Sequence, residues 1–156
     1  MAFAAGGALA AAVTRAGGLG LIGGGYGDAE WLEQQFAAAE GERVGVGFIT
    51  WSLQRTPSLL SQVLRHRPAA VMLSFGDPRP FAEEIRRAGA VLVCQCQEMA
   101  HVAQALEAGA GIVVAPCPRS RTTCAPRHPA RCCWPPAASP TAAGSPRPWC
   151  SVPTAC

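Results

Sequence analysis

The side chains that could carry chemistry in this 156-residue chain are few, and several lie where apolar segments end. Cys94, Gln95 and Cys96 close the segment AVLVCQC, where the carboxamide of Gln95 can both donate and accept hydrogen bonds. The two cysteines are small and lie in an apolar stretch, so we interpret them as core residues rather than nucleophiles. His66 and His101 fall on predicted helices and are expected to be solvated. No catalytic residue is assigned from this set.

Metal and dinucleotide sites are not predicted. The six cysteines after residue 116 include no CxxC pair, and Cys132 and Cys133 are adjacent, with His128 nearby. Structural zinc sites typically use cysteines paired at the CxxC spacing, so the cysteine pattern of this chain argues against a zinc site. The GGGYG run at residues 23–27 resembles a dinucleotide loop only weakly, because G-x-G-x-x-G must follow a strand and open a helix.

The stretch MAFAAGGALAAAVTRAGGLGLIGGGYG, residues 1–27, begins the series of elements that must position these groups. Residues 8–13 predict a short helix, and residues 19–22 predict a brief buried strand. Glycine at such density indicates backbone that lies close to a neighbouring element or to a flat ligand. We interpret this stretch as the first crossover of an α/β domain.

The following segments alternate between strand and helix. Asp28 is predicted to cap the first helix after the glycine run. Strands are predicted over residues 43–50, 69–74, 90–96 and 111–115, and helices over residues 29–39, 57–66, 79–88 and 97–108. The strand-to-strand spacing of about 20–25 residues is typical of βα units with short loops.

The predicted fold class is α/β, as a partial (β/α)8 TIM barrel formed by residues 1–115. Five parallel strands in strict alternation, with no signal for a reversal, resemble the first five strands of such a barrel, which needs ~250 residues. An open doubly wound sheet is the alternative architecture. The open edge of half a barrel also predicts self-association.

Residues 116–156 have a different composition, with ten prolines and no Leu, Ile, Phe or Met. Such a segment buries too little apolar surface to offset its ordering entropy, so we expect it to be disordered. If GC-rich codons are chosen for residues 132–156 and the same nucleotides are read one base later, they can encode LLAAGGIADGRGLAAALVLGADGV. This string has the pattern of an ordinary strand, glycine turn, helix and strand. We therefore interpret this Pro-, Arg- and Cys-rich tail as frameshifted near residues 115–117.

The charge distribution and the targeting signals indicate which partners and which location to expect for this chain. Residues 1–115 carry a net charge of −2, and the tail carries the positive charge that makes the whole chain +3, so charge alone does not indicate nucleic-acid binding. No signal peptide is recognisable, and no stretch approaches the roughly 20 apolar residues of a membrane span. We expect a cytoplasmic protein with no nucleic-acid or membrane partner.

Four short motifs carry a family resemblance: LAAAV at residues 9–13, AGGLG at 16–20, GVGF at 45–48 and EAGA at 107–110. With them, residues 1–115 resemble the N-terminal half of the nitronate monooxygenase (2-nitropropane dioxygenase) family, which are flavin-dependent TIM barrels. The AAGGIADGRG string in the shifted frame is similar to the phosphate-binding region of the family. The combination of LAAAV followed by AGGLG is fairly specific, whereas GVGF and EAGA recur in many flavin barrels.

The resemblance implies an FMN site at the carboxyl ends of the barrel strands. Met1 and Ala2 correspond to the end of strand one in the family and would lie against the flavin ring. Gly47 and Ile49 match positions near the cofactor. By the same resemblance, Gly76 would let backbone approach the flavin and Gln95 would reach the ring or the ribityl chain.

The implied activity is oxidation of an alkyl nitronate by FMN, with O₂ reoxidising the reduced flavin. A family histidine in an AGGH motif after strand five would act as the base or orient the substrate, but Pro116 follows Ala115 here. The phosphate-binding loops after strands seven and eight are also missing, so we expect this chain to be truncated and inactive as given. The alternatives are a related flavin-dependent enoyl reductase and a non-enzymatic half-barrel with a basic, Cys-rich tail that binds nucleic acid or metal.

Overall fold

A computed structural model describes residues 4–114, so the predictions for Met1, Ala2 and the tail from residue 116 lie outside the described residues. Helices and strands alternate along the described part of the chain. In order they are α1 (Gly7–Arg15), β1 (Leu21–Gly25), α2 (Ala29–Ala38), β2 (Gly45–Ile49), α3 (Thr50–Leu53), α4 (Ser58–Leu64), β3 (Ala70–Ser74), α5 (Arg79–Arg87), β4 (Val91–Gln95), α6 (Met99–Glu107) and β5 (Ile112–Val114).

The five strands form one parallel sheet in the order β1-β2-β3-β4-β5. Each strand pairs with the next one along the chain, so every crossover moves in the same direction. In a doubly wound sheet the order reverses at a switch point. The doubly wound alternative is therefore wrong, and the predicted α/β partial (β/α)8 barrel is confirmed.

The pairing register sorts the strand residues into two faces, because successive side chains of a strand point to opposite sides. One row is buried with the helices in a single apolar cluster and consists of Ile22, Val46, Val71 and Leu92. From the helices, Leu60 and Ile85 join this cluster and are fully buried. The next row lies on the opposite face, the inner face of a barrel, and consists of Gly23, Gly47, Met72 and Val93.

Helix α1 approaches its neighbours at backbone distance. A Cβ atom at Gly20 would lie 1.8 Å from the carbonyl oxygen of Ala10, and one at Gly7 would lie 1.8 Å from the carbonyl oxygen of Gln35. The backbone N–H of Gly7 also donates to Gln35 Oε1 at 2.9 Å. The dense glycines thus let backbone lie against a neighbouring element, the first of the two explanations that the sequence offered.

Strand β1 is longer at its carboxyl end than the predicted strand over residues 19–22. The glycines at 23–25 belong to the strand, with an irregular register between Gly23 and Gly25. A Cβ atom at Gly24 would lie 2.9 Å from the carbonyl oxygen of Gly47, so this crowded position favours glycine. On the side of β1 away from β2, the N–H of Gly23 donates to the carbonyl oxygen of Ala5 at 2.8 Å.

The helix ends follow local signals that are visible in the sequence. Asp28 caps α2 as predicted, since its Oδ1 accepts a hydrogen bond from the N–H of Trp31 at 3.0 Å. Pro57 directly precedes α4. The four-residue α3 was not predicted, because Thr50–Leu53 continues the apolar composition of the strand before it. Between residues 4 and 114, no helix is long and apolar enough to cross a membrane.

Candidate functional site

A cavity of about 140 Å³ opens on the inner face of the sheet, where β1 to β4 end. Backbone and side chains from four consecutive strands form its wall, together with the first residue after β3. The lining residues are Gly23, Gly25, Gly47, Phe48, Ile49, Met72, Ser74, Phe75 and Gln95. Carboxyl ends of parallel barrel strands are where this architecture binds its ligands.

One register row places the polar groups of this wall next to each other. Ile49 pairs with Ser74, and Ser74 pairs with Gln95, so the three side chains share the inner face. The hydroxyl of Ser74 donates to Gln95 Oε1 at 2.9 Å. Because this bond uses the carboxamide oxygen, the N–H groups of Gln95 are the ones that can donate to a ligand.

The rest of the wall is flat and apolar. Three lining residues have no side chain, namely Gly23, Gly25 and Gly47. Met72 pairs with Gly47, which in turn pairs with Gly23. A glycine surface lets a planar ring approach the backbone closely. The wall therefore offers a flat apolar surface with one amide donor at its edge.

These features fit the ring of the implied FMN but not its phosphate. The isoalloxazine ring is planar and carries hydrogen-bond acceptors on its edge, which suit the glycine surface and the N–H groups of Gln95. The described residues that line the cavity include no Arg, Lys or His to pair with a phosphate. The cavity is also smaller than the about 300–1,000 Å³ of complete ligand pockets, so the described residues form one wall of a site.

The structure brings together three of the six residues singled out for the cofactor. Gly47, Ile49 and Gln95 all line the cavity. Gly76 lies beside it, in a smaller cavity of about 10 Å³ that Gln95 also lines, and its cofactor role stays a prediction. Met1 and Ala2 lie outside the described residues; the carboxyl end of β1 in this structure is Gly25.

Gly76 also makes a close packing contact. A Cβ atom there would lie 2.8 Å from Thr50 Cβ and 3.3 Å from the backbone nitrogen of Trp51. The loop after β3 is thereby packed against the end of β2. Thr50 is fully buried in this contact, and its Oγ1 has no hydrogen-bond partner within the described part of the chain.

We expect Thr50→Val to raise the free energy of unfolding by about 1 kcal/mol, because it replaces a buried hydroxyl that lacks a partner with a methyl group of similar shape. Urea denaturation followed by circular dichroism measures the change. The matched control is Ser52→Ala, which removes the 2.7 Å hydrogen bond from Ser52 Oγ to the Tyr26 carbonyl and should lower stability by about 0.5–1 kcal/mol. A loss of stability in Thr50→Val would contradict the expectation.

The cysteines lie in the environment that the sequence indicated, and both histidines are exposed as expected, although His66 lies just after α4 rather than on a helix. Cys94 and Cys96 are buried in the apolar core, and burial raises the pKa of Cys94 to about 11 and that of Cys96 in the same direction. A thiol with a raised pKa is a poor nucleophile at neutral pH. His66 and His101 are both exposed, and His66 stacks on Phe36 with ring centroids 4.5 Å apart.

Sequence reasoning missed two residues of the wall that carry distinctive side chains. The sequence places Ser74 at a strand end where a ligand is expected but assigns it no role of its own, although a polar residue that ends a buried strand is itself a signal for a site. Phe75 is 53% exposed at the cavity rim and has a φ of 61°, a conformation that its sequence does not indicate. Gly23 and Gly25 were noted as a glycine run but not as cavity residues.

Comparisons with known proteins bear on the fold. No protein-family model and no curated protein matches the chain. A solved structure of FabK from Thermotoga maritima is similar, with a TM-score of 0.65 and 26% sequence identity over 74% of this chain and 38% of that chain. A mutant of the same FabK gives the same score and identity over 74% of this chain and 40% of the mutant chain. The chain thus spans about two fifths of the length of these structures.

Proposed function

We propose that this chain forms the flavin-ring wall of an FMN-dependent oxidoreductase with barrel architecture. The observation that carries the proposal is the cavity at the strand ends, where a glycine surface lies next to the hydrogen-bonded pair of Ser74 and Gln95. The likeness to FabK supports a flavoenzyme of this barrel superfamily. When bound, FMN supplies two-electron redox chemistry.

The residues of the wall would hold and orient the ring. Ser74 fixes the carboxamide of Gln95, whose N–H groups then donate to an acceptor on the edge of the ring. Ile49 and Met72 supply apolar contacts and exclude water from the face of the ring. Among the lining residues within positions 4–114, none is a base that would take a proton from substrate.

Two activities are candidates for the whole enzyme. The motifs at residues 9–13 and 16–20 favour oxidation of a small alkyl nitronate with O₂. The likeness to FabK favours the second candidate, a flavin-dependent enoyl reductase. Reduction of a carbon–carbon double bond consumes two electrons, whereas a nitronate donates them. Anaerobic bleaching of the visible flavin absorbance by a nitronate would support the first candidate, and bleaching only by a nicotinamide hydride donor would support the second.

Flavin titration of the full chain tests the proposal. We expect FMN and riboflavin to bind with dissociation constants within about threefold of each other, because the described wall contacts the ring and offers no cation to the phosphate. Gln95→Leu should weaken both ligands about tenfold, the equivalent of one hydrogen bond of about 1.4 kcal/mol. Quenching of flavin fluorescence measures both constants.

Absence of binding by both flavins would overturn the proposal. Stoichiometric zinc in the purified chain, or salt-dependent binding to DNA, would instead support the non-enzymatic half-barrel. If FMN binds more than tenfold tighter than riboflavin, cations beyond the described wall contact its phosphate. Such a result would support the proposed flavin function and would contradict the expectation that the protein contacts only the ring of the flavin.

Self-association and a cytoplasmic location belong to the same proposal. Three apolar side chains on the inner face are more than 40% exposed, namely Val91, Ile112 and Val114. Contiguous apolar surface at a sheet edge favours pairing with a second copy. We propose that association of this kind covers the inner face near β4 and β5.

A further inference from the structure

The residue directly after β3 has an unusual backbone conformation. Phe75 has a φ of 61°, in the left-handed region, where a bulky residue is a genuine outlier. Two other described non-glycine residues share a positive φ, Glu40 and Arg67, but they follow helices α2 and α4, where a left-handed residue is a common helix ending. Phe75 follows a strand, so helix termination does not explain its conformation.

Contacts on both sides of Phe75 hold this conformation. On one side, Ser74 is paired with β2 and β4 and donates its hydroxyl to Gln95. On the other side, Gly76 packs closely against Thr50. Beyond it, the carboxylate of Asp77 accepts hydrogen bonds from the backbone and the guanidinium of Arg79, and these bonds hold the pKa of Asp77 below its ordinary value. The loop is therefore fixed with its aromatic ring at the cavity rim.

The ring itself contributes little to the fold. Phe75 is 53% exposed, and within residues 4–114 no other aromatic ring packs on it, whereas the nearby rings of Tyr26 and Trp51 contact each other at 5.9 Å. A strained backbone and an exposed apolar ring are each unfavourable in a protein without ligand. Glycine or asparagine would adopt the same backbone more easily. Such outliers concentrate at ligand sites, where the surrounding structure maintains them.

We infer that Phe75 is the residue that closes the cavity over a bound flavin ring. The inference rests on the proposed flavin function and adds a specific ring-to-ring contact to it. The glycine surface of β1 and β2 receives one face of the flavin, and Phe75 at the end of β3 covers it from the open side. Aromatic rings in contact favour offset-stacked or edge-to-face arrangements, which add affinity beyond the apolar area that they bury.

The test compares Phe75→Gly with the unsubstituted chain by riboflavin titration and thermal unfolding. We expect the riboflavin dissociation constant to rise about tenfold, because the stacking contact is lost. We expect the melting temperature to stay the same or rise, because relief of the left-handed backbone offsets the lost contacts of a half-exposed ring. Phe75→Trp keeps an aromatic ring and should retain affinity while it quenches the bound flavin more strongly.

Arg67→Gly is the matched control, because it relieves a similar φ of 51° at a residue that precedes β3, at the other end of this strand from Phe75. It should leave the riboflavin affinity unchanged. If the unsubstituted chain binds riboflavin and Phe75→Gly binds it equally well, the inference on Phe75 fails and the flavin function stands. A fall in the melting temperature of more than about 4 °C for Phe75→Gly would show that the ring of Phe75 stabilises the fold. This result would likewise overturn the inference. If the unsubstituted chain binds no flavin, both proposals fail together.

Discussion

Replacement of Gly20 with alanine is expected to lower the free energy of unfolding by more than about 3 kcal/mol, a large fraction of the stability of a domain of this size. The added Cβ would lie 1.8 Å from the carbonyl oxygen of Ala10, so helix α1 and the segment before β1 would have to separate. The position of a Cβ atom is fixed by its own backbone and the carbonyl oxygen of Ala10 is a backbone atom, so no side-chain rotation can relieve the overlap. Urea denaturation followed by circular dichroism measures the loss.

Gly41→Ala separates this contact effect from the general cost of replacing glycine. Gly41 has a φ of +80°, and a Cβ atom there would meet no atom within 4 Å. Only backbone strain opposes the substitution, and it should cost about 1–2 kcal/mol. Equal losses in Gly20→Ala and Gly41→Ala would show that the close approach of α1 does not limit stability.

The second large effect is expected at the cavity, where Gly47→Leu should weaken riboflavin binding at least about 100-fold. Gly47 lies between Gly23 and Met72 in the inner-face row, and its strand is paired on both sides. A leucine side chain there would enter the cavity of about 140 Å³, and the paired strands prevent the backbone from moving away. Fluorescence titration measures the affinity, and circular dichroism verifies that the sheet is retained.

Val91→Leu provides the control for added bulk on the same face. Val91 lies in the row at the amino ends of the strands and is 43% exposed, so one extra methylene group there should leave flavin affinity unchanged. A normal affinity in Gly47→Leu would show that flavin does not use this surface. Weakened binding in both variants would point to a general disturbance of the sheet.

The barrel part of the fold could be predicted because strands β2 to β5 have a clear apolar pattern and helices α2, α4, α5 and α6 have a start or stop residue. Asp28 and Pro57 are examples that the structure confirms at the starts of α2 and α4. The carboxyl end of β1 could not be placed, since glycines have no side chain to show alternation and their strand character comes from pairing with β2. Helix α3 could not be predicted because its residues have side chains that are compatible with either a strand or a helix.

The candidate site was partly predictable for a different reason. Gly47, Ile49 and Gln95 could be assigned from a family resemblance, and their shared face follows from the register of adjacent strands. Ser74 became visible as a partner of Gln95 only once that register was known. The conformation of Phe75 depends on contacts at Gly76 and in the following loop, which residue types alone do not reveal.

The register of Ile49, Ser74 and Gln95 also determines where evolution can change the length of this chain. Loss or gain of one residue inside β3 or β4 would exchange the two faces of that strand, so a polar side chain would enter the apolar core and the cavity would lose its amide. Insertions and deletions among homologous sequences should therefore accumulate in loops such as residues 54–57, and length within the central strands should stay constant.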